Sequence, residues 1–164
     1  MKLGVDLDET LINNKFSYEN TNKWRLKKGA IEYLPSICKS HELHLITARE
    51  SEDDVMRIVN SIENILSIQF KSVTLTRCQK KGGYAASLGC KLMFDDNPDY
   101  LSDCAENGVM PVLLGKRKYA KIYKNYTVCE NWKQFSDYLS QLDSEGVVMI
   151  NESNKTRGQF VALR

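Results

Sequence analysis

The sequence contains no apolar run of the roughly 20 residues that a membrane-spanning helix needs. A first strand that begins almost at Met1 leaves no room for a secretory leader, so the expected location is the cytosol. The five cysteines, Cys38, Cys78, Cys90, Cys104 and Cys129, form no C-x-x-C pair and no Cys/His cluster, which argues against a zinc site. Their odd number and apolar surroundings suit buried, reduced thiols. Internal repeats and low-complexity segments are also missing. The net charge is only +2, too small an excess to argue by itself for a nucleic-acid partner.

What is present is one domain's worth of alternating apolar segments in 164 residues. Lys2-Leu3-Gly4-Val5 reads as a buried strand that ends in Asp6 and Asp8. Residues 13–28 are polar and read as a loop or flap. A helix is expected over 29–40, and a second strand over Leu43-His44-Leu45-Ile46, ending at Thr47. Ser51 followed by Glu52, Asp53 and Asp54 is a helix N-cap with an acidic first turn. A third strand lies within 70–76, and a helix over 81–88 ends at Gly89. The fourth strand, Lys91-Leu92-Met93-Phe94, runs into Asp95-Asp96, and Pro98 opens the next helix, which Gly108 ends. Strands at 110–114 and 126–128 and a helix over 131–142 complete the alternation. A hairpin of 147–150 with 159–163 is expected in the tail. This order implies an α/β fold, a three-layer Rossmann-like domain with a central parallel sheet.

Ligands of such sheets bind at the carboxyl ends of the strands. Asp6, Asp8, Thr47, Asp95 and Asp96 fall at those ends, and Lys80 and Lys81 follow the third. Two carboxylates two residues apart repel, and a divalent cation relieves the repulsion. Magnesium favours such oxygens together with substrate phosphate. One carboxylate can attack phosphorus, and the other can move protons to the leaving oxygen and from water. A threonine hydroxyl can hold a phosphate oxygen, and a fixed ammonium offsets phosphoryl charge. Each feature alone has an ordinary structural reading: solvated acids, a capping hydroxyl, a surface lysine.

In this order the features resemble the motifs of the haloacid dehalogenase (HAD) superfamily of phosphohydrolases over about residues 2–142. D-x-D-x-T stands as Asp6, Asp8 and Thr10, the second motif as Leu45-Ile46-Thr47, the third as Lys81 or Lys80, and the fourth as Phe94-Asp95-Asp96-Asn97-Pro98-Asp99. The resemblance implies a Mg²⁺-dependent phosphatase. Asp6 would be nucleophile and metal ligand, and Asp8 acid/base and a ligand through its carbonyl oxygen. Thr47 and Lys81 would bind phosphate, Asp96 or Asp95 would complete the metal site, and Asp99 would support it. Arg49, two residues after Thr47, resembles the Thr-x-Arg of several phosphatases in the superfamily and would also bind phosphate. The plain alternative pairs Arg49 with Glu50 or Glu52.

The layout implies a phosphatase domain over 1–143, a minimal cap with a short flap at about 11–28, and a tail over 144–164. Residues 6–11 resemble phosphatases of the RNA polymerase tail, and residues 92–98 resemble the 5'(3')-deoxyribonucleotidase group. The expected substrate is a phosphorylated small molecule, a nucleotide among them, with a phosphoprotein or nucleic-acid end as alternatives. Two rival readings are a non-catalytic nucleotide-binding module and a phosphate-accepting receiver domain. Phe16, Tyr18 and Trp24 in the flap offer rings to a base or pack on the rim, and Trp132 reads as a core anchor of the last helix. Lys116, Arg117, Lys118, Lys121 and Lys124 form a basic stretch that is either a solvated face or an attractor of polyanions.

Overall fold

A computed structural model describes residues 1–14 and 24–145. Phe16 and Tyr18, and the hairpin expected in the tail, lie outside the described residues. Among the described residues, eight strands and five α-helices follow in the order β1 (Lys2–Val5), β2 (Ile12–Asn14), β3 (Trp24–Leu26), α1 (Lys28–Ser40), β4 (Glu42–Thr47), α2 (Glu52–Leu66), β5 (Ser72–Leu75), α3 (Gly82–Ser87), β6 (Leu92–Asp95), α4 (Pro98–Glu106), β7 (Met110–Leu114), β8 (Thr127–Cys129) and α5 (Trp132–Ser144). A short 3-10 helix, Arg117–Lys121, lies between β7 and β8. Six strands form one parallel sheet in the order β5-β4-β1-β6-β7-β8. Chain direction across the sheet reverses at β1, and the crevice beside such a reversal is where doubly wound sheets bind ligands.

The sheet is covered on both faces, so its strands read as continuous apolar runs rather than alternating ones. Successive side chains point to opposite faces. Leu3, Val5, Leu45, Phe94 and Val112 pack with residues of α1, α2 and α5. Ile46, Met93 and Leu113 pack with Ala85 of α3 and Leu101 and Cys104 of α4. Gly4 faces the second layer, where a Cβ would lie 2.6 Å from Met93 Sδ. Ser51 caps α2 by accepting from the Asp54 amide, and Asn97 caps α4 by accepting from the Asp99 amide. Gly89 and Gly108 take positive φ after α3 and α4, the conformation a helix C-terminus requires.

Two expectations need correction. The flap is not simply a polar loop: Ile12–Asn14 and Trp24–Leu26 pair as an antiparallel ribbon. Its start belongs to the core, since Leu11 and Ile12 are fully buried. Three-residue strands fall below the length at which hydrophobic periodicity registers. Trp24 is half-buried and packs against the main core. The cysteines are free, and Cys90, Cys104 and Cys129 are buried, but Cys78 is exposed.

Trp132 anchors α5, as expected. It meets Phe94 edge-on at 5.2 Å, while Phe135 stacks on Phe94 at 3.9 Å between centroids. Phe135→Ala should therefore cost about 3–5 kcal/mol. A urea titration should show a lower midpoint with an unchanged m value.

Candidate active site

β1 ends and the chain continues one residue further along β6, because the Asp6 amide donates to the Phe94 carbonyl at 3.0 Å. That bond sets Asp6 beside the end of β6, where Asp95 is the last strand residue and Asp96 the next. One carboxylate oxygen from each of Asp6, Asp95 and Asp96 lies within 4.8 Å of the others. Asp6 and Asp95 are buried and Asp96 is half-buried. Three hard oxygen ligands crowded in a protected crevice fit an oxygen-seeking divalent cation.

Lys81 enters this cluster from the N-terminus of α3. Its Nζ donates to Asp6 Oδ1 at 2.6 Å and to Asp95 Oδ2 at 2.7 Å. The side chain is 1% exposed, and its ammonium sits 4.5 Å from the centre of the Tyr100 ring. Burial opposes the charge, but Asp6 and Asp95 outweigh it and hold the ammonium above the ordinary lysine range. Lys80, the alternative, is exposed and outside the cluster.

The carboxylates still outnumber the cation. Burial, and then Asp95, raise Asp6 above the usual carboxylate range, against the pull of Lys81. Burial and Asp95 also push Asp96 up to about 6, against Lys27 and a Thr10 hydroxyl that donates to it at 3.4 Å. Asp95 is the most fully engaged of the three: its other oxygen accepts the Asn97 amide at 2.8 Å.

Asp8 is placed apart from the three clustered carboxylates. Its carboxylate accepts from Arg49 Nε at 2.9 Å and Nη2 at 2.7 Å, and from the Asn14 side chain. Arg49 thus pairs with neither Glu50 nor Glu52, and its guanidinium fork holds Asp8. The hydrogen bond to Asp8 and the charge behind it raise the arginine further, against burial. Thr47 is fully buried at the end of β4, where its hydroxyl accepts the Arg49 amide at 3.3 Å. It caps no helix, since Ser51 does that for α2. Asp99 is exposed in the first turn of α4, where its charge suits the helix dipole, and it does not join the cluster.

The loop after β1 is locally closed and strained. The Leu11 and Ile12 amides both donate to the Leu7 carbonyl at 3.0 Å. Glu9 takes φ 54°, a conformation uncommon for a residue with a Cβ. The Trp132 indole pins this loop by donating to the Thr10 carbonyl at 3.0 Å, and Lys27 donates to the Glu9 carbonyl. On the other side, buried Asp103 of α4 accepts the Gly82 amide. A Cβ at Gly82 would lie 2.3 Å from the Asp103 backbone oxygen, so only glycine permits the approach that sets Lys81. Sequence reasoning missed Asp103, Tyr100, Asn14 and the Trp132–Thr10 bond. The available signal for Asp103 was an acid placed near Leu101 and Cys104 on the buried side of a short helix.

Because Asp96 is raised when folded, protonation favours the folded chain. Its contribution is fully present below about pH 4, the unfolded value, and is lost as pH rises through about 6. In chelator, Asp96→Asn should therefore melt above the wild type at pH 8, and the difference should close as pH falls toward about 4. Added Mg²⁺ should raise the wild-type melting temperature and leave that of Asp96→Asn nearly unmoved. Differential scanning fluorimetry across pH checks both.

No protein-family profile and no curated protein sequence matches the chain. Solved structures do. A HAD-superfamily hydrolase, subfamily IA, variant 1, from Geobacter sulfurreducens superposes with a TM-score of 0.58 at 12% identity, over 84% of this chain and 98% of that one. The structure of accessory secretory proteins 1, 2 and 3 of Streptococcus pneumoniae gives 0.53 at 14% identity, over 87% of this chain and 28% of that one. Among the described residues, no helix is long and apolar enough to cross a membrane. At such low identity the likeness speaks for architecture alone: the chain has a three-layer α/β fold with a central parallel sheet, similar to that of the HAD-superfamily hydrolase from Geobacter sulfurreducens.

Proposed function

We propose that the protein is a Mg²⁺-dependent phosphomonoester hydrolase that works through a phospho-aspartate on Asp6. The observation that carries this reading is the buried Lys81 ammonium held between Asp6 and Asp95 while a third carboxylate, Asp96, faces the same point. A nucleophile, a fixed cation and a set of metal ligands are what transfer of a phosphoryl group to a carboxylate needs. Mg²⁺, held by Asp6 and Asp96 with Asp95 in support and the Asp8 carbonyl as a further donor, would offset the phosphoryl charge.

Lys81 engages Asp6 through Oδ1 only, and among the described residues Oδ2 receives no hydrogen bond. Oδ2 attacks phosphorus, the bond from phosphorus to the ester oxygen breaks, and Asp8 supplies the proton to the departing alcohol. Water then attacks the phospho-aspartate, Asp8 takes its proton, and inorganic phosphate leaves with Asp6 restored. Asp8 reaches this task by exchange. A phosphoryl dianion competes for the Arg49 fork that otherwise holds the Asp8 carboxylate. Thr47, one strand away from Asp6, serves as a phosphate donor once its hydroxyl turns from the Arg49 amide.

The β2–β3 ribbon is the one insert between β1 and α1 among the described residues, and α2 and β5 belong to the main layers. This supports a minimal cap and an open crevice. Phosphate esters from nucleotides to the end of a larger molecule would enter it, and a cytosolic setting suits the free thiols.

Turnover of p-nitrophenyl phosphate should require Mg²⁺ and stop in chelator. Asp6→Asn should fall to background, and Asp8→Asn should lose about 10²–10⁴ in kcat. Mass spectrometry of acid-quenched enzyme should find a phosphoryl group on the peptide containing Asp6. Turnover by Asp6→Asn at the wild-type rate would remove the assigned nucleophile.

A further inference from the structure

Two loops at the carboxyl edge of the sheet, those after β4 and β7, are opposite in charge. After β4 come Glu50, Glu52, Asp53 and Asp54. After β7 come Lys116, Arg117, Lys118, Lys121 and Lys124, with no acid between Gly115 and Cys129. All five cations are exposed, and among the described residues none is paired with a carboxylate. The basic segment lies on the crevice side. Leu113 of β7 stands opposite Asp95 of β6, so the chain leaves the sheet toward Lys116 beside Asp96 and Asn97.

The segment is also built rather than loose. Its three tyrosines turn inward and fasten it. Tyr119 lies so close to Gly115 that a Cβ there would be 2.7 Å from the ring. Tyr123 stacks on Tyr126 at 5.3 Å, and the Tyr126 hydroxyl donates at 3.2 Å to the carbonyl of Pro98, the first residue of α4, which follows directly on Asp95-Asp96-Asn97. The cations are thereby held at the surface on a fixed turn. Next to it lies a cleft of about 410 Å³ lined by Lys27, Gly29, Lys116, Glu130, Asn131 and Trp132. Lys27 and Trp132 both bond carbonyls of the Asp6–Thr10 loop. The acid at this cleft, Glu130, already accepts the Arg117 amide.

We propose that the crevice takes the phosphorylated end of a polynucleotide. The terminal phosphate meets Asp6, the adjoining phosphates lie along the Lys27–Lys116 cleft, and the strand leaves over Arg117, Lys118, Lys121 and Lys124. A regular row of backbone charges suits several cations in a row, whereas a mononucleotide engages the crevice alone. The acids after β4 repel the same backbone, which favours an exit over the loop after β7. This inference rests on the phosphatase reading above, and it is tested by binding as well as by turnover.

The probe is a single-stranded oligonucleotide of about ten nucleotides, with a 5' or a 3' phosphate. It is compared with the matching mononucleotide, a phosphopeptide and p-nitrophenyl phosphate. Full-length wild type should show a higher kcat/KM for one phosphorylated oligonucleotide than for the mononucleotide. Replacing Arg117, Lys118 and Lys121 by alanine should lower the ratio of oligonucleotide to p-nitrophenyl phosphate turnover at least about tenfold at about 50 mM salt. The slope of log affinity against log salt should flatten by about 2, three phosphate contacts at about 0.7 each. The variant Arg117→Lys, Lys118→Arg, Lys121→Arg should keep the wild-type ratio, and circular dichroism should show all variants folded. Fluorescence anisotropy with Asp6→Asn reads the same loss without turnover.

Equal oligonucleotide affinity in the alanine variant and the wild type, or a preference for the mononucleotide or the phosphopeptide, overturns this inference. Oligonucleotide binding that depends on the three cations, with no ester hydrolysed, supports the surface and overturns the phosphatase reading instead.

Discussion

The structure turns on one buried ammonium. Lys81 is as deeply buried as the core leucines, yet it is charged, and a charge in that position is tolerable only because Asp6 and Asp95 reach it directly. The three residues come from the ends of β1 and β6 and the start of α3, so the pair of contacts ties together segments remote in sequence. The balance is incomplete, because Asp96 adds a third carboxylate to a single cation. That residual negative charge suits a divalent cation, on which the proposed phosphatase activity rests.

Holding Lys81 there requires support on two sides. Tyr100 covers the ammonium with its ring, and Asp103 takes the first amide of α3. Both belong to α4, the helix opened by Asn97 and Pro98 directly after the acid pair. One short helix therefore fixes the position of Lys81 relative to the carboxylates it meets. Across the crevice, Trp132 does the same for the Asp6–Thr10 loop, and its packing on Phe94 links that loop to the strand that ends in Asp95. The positive φ at Glu9 is a local cost held by these contacts.

The periodic features of the fold were readable in advance. Buried parallel strands announce themselves as apolar runs that end in polar residues, and Ser51, Asn97–Pro98, Gly89 and Gly108 mark helix ends through backbone chemistry that does not depend on distant partners. The β2–β3 ribbon was not legible, because strands of three residues within a polar stretch carry no usable period. Arg49 shows the same limit at the site. Its spacing from Thr47 says nothing of Asp8, 41 residues away, whose carboxylate its guanidinium holds in the folded chain.

By itself, then, the sequence determined the order of the main-sheet strands and their helices, the positions of Asp6, Asp8, Thr47, Lys81, Asp95 and Asp96 at or near strand and helix ends, and a resemblance to a known set of motifs. These are local or sequential properties, set by periodicity, capping and spacing. Only the tertiary structure decided that Lys81 rather than Lys80 enters the crevice, that Asp8 is held by Arg49, and that Asp103, Tyr100 and Trp132 support the site. Those outcomes depend on which strands become neighbours and in what register, and on burial, which turns an ordinary surface charge into one that must be paired. Neither quantity exists until the sheet has formed.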